Sequence, residues 1–429
     1  MTTPRGFFGV LRHRDYRFVW LAHSFSILGD RIVIVAVALL VIKLTGNATD
    51  LGLVFAAWAL ALVSFLLIGG VWADRLPRHR VMVVADVVRF ALHAALAALI
   101  LTGQVRIWHL VVIEGLFGAA EAFFQPASTG LLPQTVPEEE IQEANALRSL
   151  SENVAEFAGP ALATGLVLGP GAGWAFALDA ATFLLSAALL VRVRPRERAP
   201  AASVGAGERE PSVWRQMREG AREVRARAWV WATLAAFCAA LFFGLAPWYI
   251  LGPVVAREQY GHVGVYGLVA AALGIGTVAG SLIGVRWRPR HPMRVGMLAA
   301  VLWALVGLAY ASGVTLVVVV PVCVIGGAGI ALFDVWWTTA LAEHIPPEKL
   351  SRVSSYDWMV SLGLLPVGYA LVGPISHALG AVTVMIAGSI LAALALALGL
   401  SPRETRLLER VDAPQPAAAA EPLRVGSAP

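Results

Sequence analysis

The sequence predicts an all-α integral membrane protein whose twelve transmembrane helices form two six-helix halves related by a parallel repeat. Three observations predict it: twelve long apolar runs, basic residues concentrated in alternate connections with little beyond Lys43, Arg106 and Arg257 in the others, and a repeat offset of a little over two hundred residues. A bilayer core takes about 20 apolar residues per helical span. The chain is 58% hydrophobic and 14% charged, with a mean hydropathy of +0.72. That is more apolar surface than a soluble domain can cover, so lipid is its solvent.

The runs fall at about 17–43, 49–73, 80–102, 107–133, 143–169 and 172–193, then at about 229–252, 263–285, 293–313, 314–342, 352–377 and 380–400. Span 1 is too long for the apolar core of a signal peptide, and no small-residue cleavage site closely follows it, so it is retained. The runs divide the chain into a first half, 1–193, a linker, 194–228, a second half, 229–400, and a tail, 401–429. The linker begins rich in Pro, Ala and Gly. It ends at Trp214 to Arg227 with Arg215, Arg218, Arg222 and Arg225 at helical spacing, which predicts a basic amphipathic helix lying on the cytoplasmic leaflet. The tail, with Pro414, Pro416 and an alanine run, lacks the apolar content to fold and reads as disordered.

Basic residues gather in every second connection: Arg5, Arg12, Arg14 and Arg17; Arg75, Arg78 and Arg80; ten arginines from Arg192 to Arg227; Arg286, Arg288, Arg290 and Arg294; Lys349 and Arg352; Arg403, Arg406 and Arg410. By the positive-inside rule both termini and the central linker are cytoplasmic, which requires an even number of spans in the cell (inner or plasma) membrane. Dispersed in this way, the +5 net charge marks orientation rather than a nucleic-acid partner. Cys238 and Cys323 both fall inside apolar runs, so neither a disulfide framework nor a zinc site is expected.

The repeat is visible within the chain itself. Shifted by 215, Gly52-Leu53-Val54 lies over Gly267-Leu268-Val269, and Leu67-Ile68-Gly69 with Trp72 lies over Leu282-Ile283-Gly284 with Trp287. Shifted by 209, Pro137 and Glu139 lie over Pro346 and Glu348 at the entrances of spans 5 and 11. Two halves in the same orientation place a substrate path between them, near the midplane.

The connection after span 2 reads Gly70-Val71-Trp72-Ala73-Asp74-Arg75-Leu76-Pro77-Arg78-His79-Arg80. It resembles the Gly-x-x-x-Asp-Arg-x-x-Arg-Arg signature of the major facilitator superfamily, at its proper place between spans 2 and 3. The resemblance implies the major facilitator fold and a cytoplasmic latch between halves built on Gly70, Asp74, Arg75 and Arg78. Asp86 and Arg89 in span 3 are expected to join that latch. The second half has Arg286-Trp287-Arg288-Pro289-Arg290 at the equivalent place, without the Asp-Arg pair, so the latch is asymmetric.

Phe124-Gln125-Pro126-Ala127, Ala144-Asn145-Ala146-Leu147 and Gly159-Pro160-Ala161-Leu162-Ala163-Thr164 resemble the branch that holds macrolide exporters, the enterobactin exporter and lysophospholipid transporters. The last run partly matches the Gly-Pro-x-x-Gly-Gly signature of antiporters, with Ala163-Thr164 in place of the glycine pair. On this resemblance Asn145, Gly159 and Pro160 form a helix-5 motif, and export is favoured over uptake. The family's arginine in span 4 is absent, since Val111 stands four residues before Gly115, so proton coupling must use other charges.

Ionisable residues at membrane depth cost several kcal/mol unless paired or wetted. Asp30 and Arg31 sit mid-span and, as neighbours about 100° apart on a helix, need partners elsewhere. Asp30 is the leading proton or cation site, Arg31 an ion-pair member, and Glu121 and Glu156 further cavity carboxylates. Glu114, seven residues before Glu121, shares its face, and Arg148 and Glu152 are spaced for an intrahelical pair. Asp179, Asp334 and Asp357 are additional candidates, and His23 and His93 stand alone with no second ligand at metal spacing. The second half is richer in rings, including Phe237, Phe242, Phe243, Trp248, Tyr249, Trp336, Trp337, Tyr356 and Trp358, which suits an amphipathic or cationic organic substrate.

No phosphate-cradling loop, nucleophile elbow or paired-cysteine metal site is present in the sequence, which disfavours ATP-driven transport and enzymatic activity. The expectation is a monomeric secondary transporter that exports a hydrophobic or amphipathic small molecule by alternating access. Protons are its coupling ions, membrane lipids surround it, and it needs no cofactor or metal. The alternatives are a lysophospholipid flippase or facilitator and a non-transporting membrane sensor.

Overall fold

The computed structural model describes residues 9–195, 221–346, 353, 356–357 and 359–410; the Asp74 side chain lies outside the described residues, as do those of Leu67, Val71 and Ala73. Six helices make the first half: α1 (Arg14–Thr45), α2 (Ala48–Arg75), α3 (Arg78–Leu101), α4 (Ile107–Leu131), α5 (Ile141–Leu168) and α6 (Ala172–Leu190). Six more make the second: α7 (Ala228–Tyr260), α8 (Gly264–Arg286), α9 (Pro292–Ala311), α10 (Leu316–His344), α11 (Met359–Leu379) and α12 (Ala381–Leu398). Eleven helices among the described residues are long and apolar enough to cross a bilayer. α5 falls outside that set because Glu143, Arg148, Glu152 and Glu156 punctuate its 28 residues, yet it occupies the fifth place in the bundle.

Helix ends follow local chemistry. α1 stops at Gly46, whose left-handed φ of 65° lets its N–H reach back to the Ile42 carbonyl. Asn47 then starts α2 by accepting a hydrogen bond from the Thr49 N–H at 2.8 Å. α7 widens into a π-helical turn at Leu241–Leu245, just before Pro247, and α9 breaks between Ala304 and Val306.

The two halves repeat each other's packing. The pairs α2–α4, α3–α6 and α1–α6 of the first half correspond to α8–α10, α9–α12 and α7–α12 of the second. Residues matched in the sequence repeat do matching work. A Cβ at Gly69 would collide with the Ala122 carbonyl of α4, and one at Gly284 would press on Val335 of α10. Trp72 packs edge-on against Phe123 and Trp287 edge-on against Trp336.

Between the halves, α2 packs on α11 and α5 on α8, again equivalent pairs. The approach is close because lipid supplies no hydrophobic drive between helices, and small residues let backbones meet. A Cβ at Gly52 would strike the Tyr369 carbonyl and one at Gly373 the Thr49 backbone; Gly267 makes room for Thr164 and Gly274 for the Glu156 carbonyl. All four lie at or beyond mid-bundle from the end that carries both termini. There a single core joins the halves through Leu39 and Ile42 of α1, Leu51 and Phe55 of α2, Ile250 and Val254 of α7 and Tyr369 of α11. At the terminal end the cores are separate, one around Trp229, Met297 and Trp337 and two within the first half.

One expectation is corrected, and another lies largely outside the described residues. Residues 401–410 of the expected disordered tail are ordered, because charged contacts hold them and Leu408 packs on the core around Trp229 and Met297. A short helix, α13 (Arg403–Leu407), sets Glu404 to accept from the Ala228 N–H at 2.9 Å; beyond it Glu409 pairs with Arg290 and Arg410 with Glu343 at 2.9 and 3.1 Å. Of the expected basic helix, residues 214–220 lie outside the described residues; 221–225 are helical, and Arg227 pairs with Glu223 at 2.6 Å.

Candidate functional site

A cavity of about 540 Å³ lies between the halves and extends toward the terminal end. The first half contributes Arg31, Ile34 and Val35 of α1 and Glu152, Asn153, Glu156 and Pro160 of α5. The second half contributes the rings of Phe237, Trp248, Tyr249, Tyr266, Trp303, Phe333 and Trp337, and two carboxylates, Asp334 and Asp357.

Charge in this cavity is unevenly neutralised. Arg31 Nε lies 2.6 Å from Glu156. Glu152 meets Arg148 at 2.9 Å, the expected intrahelical pair, and also His23 at 2.9 Å. Asp357 accepts from the Trp337 indole at 2.9 Å, and among the described residues no arginine, lysine or histidine pairs with Asp357 or Asp334. Two carboxylates that no cation among the described residues pairs with therefore sit in an aromatic-walled space.

Behind the cavity, inside the first half, lies a second charged group. Arg89 of α3 pairs with Asp86, which also accepts from the Ser186 hydroxyl at 2.5 Å, and its guanidinium lies over the Phe124 and Phe183 rings at 4.2 and 4.3 Å. Arg89 stands 3.8 Å from Asp30. One turn along α3, His93 is bonded through Nδ1 to Asp179 of α6, and its Nε2 stands 3.7 Å from Glu114 of α4. His93 and Asp179 are fully buried and Glu114 is 5% exposed. The His93 ring stacks on Phe117 at 4.1 Å.

Three consecutive residues of α1 join the two regions. Gly29 packs so tightly on α6 that a Cβ would occupy the position of the Asp179 carboxylate and the Thr182 hydroxyl. Asp30 points to Arg89, and Arg31 points into the cavity toward Glu156. The 100° step of the helix distributes the three over α6, α3 and α5.

The family model of the Major Facilitator Superfamily matches residues 19–364. The chain belongs to that superfamily. Macrolide efflux protein A of Streptococcus pyogenes is 22% identical over 363 residues, covering 82% of this chain and 87% of that protein. The uncharacterised MFS-type transporter YfiS of Bacillus subtilis is 29% identical over 170 residues, and there the chain spans 40% of the relative's length. Among solved structures, the nucleoside transporter NupG superposes with a TM-score of 0.70 at 12% identity, covering 90% of this chain and 99% of that one. A bacterial homologue of the human lysosomal transporter Spinster, in an inward-facing and unoccupied conformation, superposes with a TM-score of 0.69 at 18% identity, covering 93% and 99%. The molecule is a multi-pass membrane transporter with the major facilitator fold, built to carry a small molecule.

As a major facilitator protein it departs from several site expectations. Asp30 does not line the cavity, because its position on α1 turns it to Arg89. Glu121 is also turned away and accepts from the Trp58 indole at 2.9 Å, whereas Arg31 and Glu156 do face the cavity. Asp86 and Arg89 are not in a surface latch; α3 carries them two to three turns into the core of the first half, where both are buried. Nothing lies within 4 Å of a Cβ built on Gly70, so in this conformation the close helix approach belongs to Gly69. Arg78 donates to the Gly130 carbonyl of α4 at 2.5 Å, within its own half, and Arg75 is exposed. The latch expected of Asp74 lies outside the described residues.

In the helix-5 motif, Gly159 lets the α1 backbone approach at Arg31, and Pro160 lines the cavity. The carbonyl that Pro160 leaves without its helical donor, that of Glu156, faces Gly274 of α8. Asn145 bonds only its own helix, donating to the Ile141 carbonyl at 3.0 Å. Of the expected rings, Phe237, Trp248, Tyr249 and Trp337 line the cavity, while Phe242 and Phe243 pack against each other; Trp358 lies outside the described residues. The sequence reading left His23 and His93 isolated because their carboxylate partners stand on other helices, 129 residues away for Glu152 and 86 for Asp179.

Proposed function

We propose that this transporter exports an amphipathic organic cation from the cytoplasm by alternating access, in exchange for protons. The observation that carries the reading is the pair of unneutralised carboxylates, Asp334 and Asp357, in a cavity walled by Trp248, Tyr249, Phe333 and Trp337. Carboxylates set the sign of the substrate's charge, and the rings supply cation–π and apolar contact to its body. The likeness to macrolide efflux protein A supports export of such a molecule.

Basic residues at the terminal end support a cytoplasmic location for that end, in the cell membrane. On that orientation the structure is the inward-facing state: the cavity reaches toward the cytoplasm, and the joined core seals the outer side. Substrate enters beside Asp357 and Trp337 and settles against Tyr249, Trp248 and the Arg31–Glu156 pair. The halves then rock about α2–α11 and α5–α8, the outer core parts, and an incoming proton favours release.

Equilibrium binding to purified protein tests the cavity, read by quenching of its tryptophans. A lipophilic monocation and a cationic macrolide should bind to wild type. Asp334→Asn and Asp357→Asn should each weaken that binding about tenfold, the loss of one charge-assisted contact in a partly hydrated site. Equal affinity of the cation and an uncharged isostere, unchanged in both variants, would contradict the cation reading.

A further inference from the structure

Resting on proton exchange as the driving reaction, we propose that the coupling proton is bound not in the substrate cavity but at Glu114 and His93, in the sealed cluster inside the first half. The cluster is short of positive charge. Asp30, Asp86, Glu114 and Asp179 face one permanent cation, Arg89, and one histidine. Fully ionised, these four carboxylates, with Glu121 as a fifth close by, would oppose two cations in a site where Asp86, His93 and Asp179 are fully buried and the Asp30 side chain is 18% exposed, a state that proteins avoid by holding protons.

Unpartnered atoms show where a proton is missing from the hydrogen-bond network. His93 Nε2 and Glu114 Oε1 are both buried without a hydrogen-bond partner and stand 3.7 Å apart, facing each other. A proton on either atom turns that gap into a donor–acceptor contact. On its other side His93 is already held by Asp179. The titratable groups around this pair are Asp30 from α1, Glu121 from α4, Asp179 from α6 and Arg89 from α3 itself, with Asp86 of α3 facing Asp179 and Arg89.

α1 makes the cluster sensitive to the cavity. Gly29 leaves no space against Asp179, so a shift of α1 moves Asp179 relative to His93. The same helix presents Arg31 to Glu156 at the cavity wall. A cation that competes with Arg31 for Glu156 repositions α1, loosens the His93–Asp179 contact and releases the proton from Glu114 to the cytoplasmic side. After outward release of substrate, one proton from outside refills the site. Substrate and proton then exclude each other without sharing a carboxylate, and the coupling is reciprocal.

The test is the affinity of the full-length protein for tetraphenylphosphonium across pH, with protons released on binding followed by an indicator dye in weak buffer. Wild type should lose affinity as the medium becomes acidic, approaching about tenfold per pH unit for one exchanged proton. Glu114→Gln should bind with pH-independent affinity and release no proton. If Glu114→Gln is not recovered folded, Glu114→Asp should keep the pH dependence with a displaced midpoint, which a merely structural carboxylate would not produce. A pH dependence and proton release in Glu114→Gln equal to wild type, or an undisplaced midpoint in Glu114→Asp, would overturn the assignment while leaving proton exchange standing. Tetraphenylphosphonium binding to wild type with neither pH dependence nor proton release would instead overturn proton exchange itself, and the assignment with it.

Discussion

Gly29, Asp30 and Arg31 show how much one helical turn can carry. Each has a different neighbour: Asp179 and Thr182 for Gly29, Arg89 for Asp30, Glu156 for Arg31. Adding a methyl group at Gly29 forces Asp179 to rotate off His93 or α1 to lift off α6. Gly29→Ala is therefore expected to cost about 1–3 kcal/mol of stability by overpacking and to uncouple substrate from proton, read as a lowered melting temperature and a flattened pH profile of binding. A variant as stable and as pH-sensitive as wild type would show that α1 does not transmit between cavity and cluster. At this scale the sequence was legible for residue type and not for partner. The depth of Asp30 and Arg31 in an apolar run marked them as costly, but their orientation depends on where α3, α5 and α6 stand. Asp86 and Arg89 were misplaced for the same reason, since nearness in sequence to the 70–80 connection suggested a latch, while the helical rise takes them into the core.

Among elements, the closest backbone approaches between α2 and α11 fall at glycines. Gly52 of α2 meets the Tyr369 carbonyl, and Gly373 of α11 meets the Thr49 backbone, so neither side can yield by rotating a side chain. His377 Nε2 adds a contact at 2.8 Å to Asn47 Oδ1, the residue that caps α2. Gly52→Val and Gly373→Val are each expected to keep the outer side from closing. With Val54→Cys as a reporter, a membrane-impermeant thiol reagent added outside should label these variants several-fold faster than the same reporter in an otherwise native background, in which position 54 is buried. Equal labelling would mean the α2–α11 contact is not the outer gate. This part of the fold was largely readable. The repeat placed Gly52 over Gly267, and both serve at the contacts between halves, though the pattern alone did not reveal that the facing surfaces were Tyr369 and Thr164. The charges of α5 are legible too: they weaken its apolar signal because Glu152 and Glu156 lie on the face of that helix that walls the cavity.

Over the whole molecule, the arrangement divides labour between the halves. In the proposed mechanism the second half supplies rings and the carboxylates Asp334 and Asp357 for a substrate, and the first supplies Arg31, Glu156 and the buried cluster for the coupling proton. A joined core at one end and separate cores at the other are the asymmetry that rocking of two halves requires. The measurement that tests this account most directly uses inside-out vesicles containing the protein, loaded with a pH-reporting dye and made acidic inside, to which lipophilic cations and cationic macrolides are added. The account predicts substrate-dependent escape of protons together with accumulation of the cation in the vesicle. Accumulation of the cation without any proton movement, or flipping of labelled lysolipids with no response to cations, would contradict it.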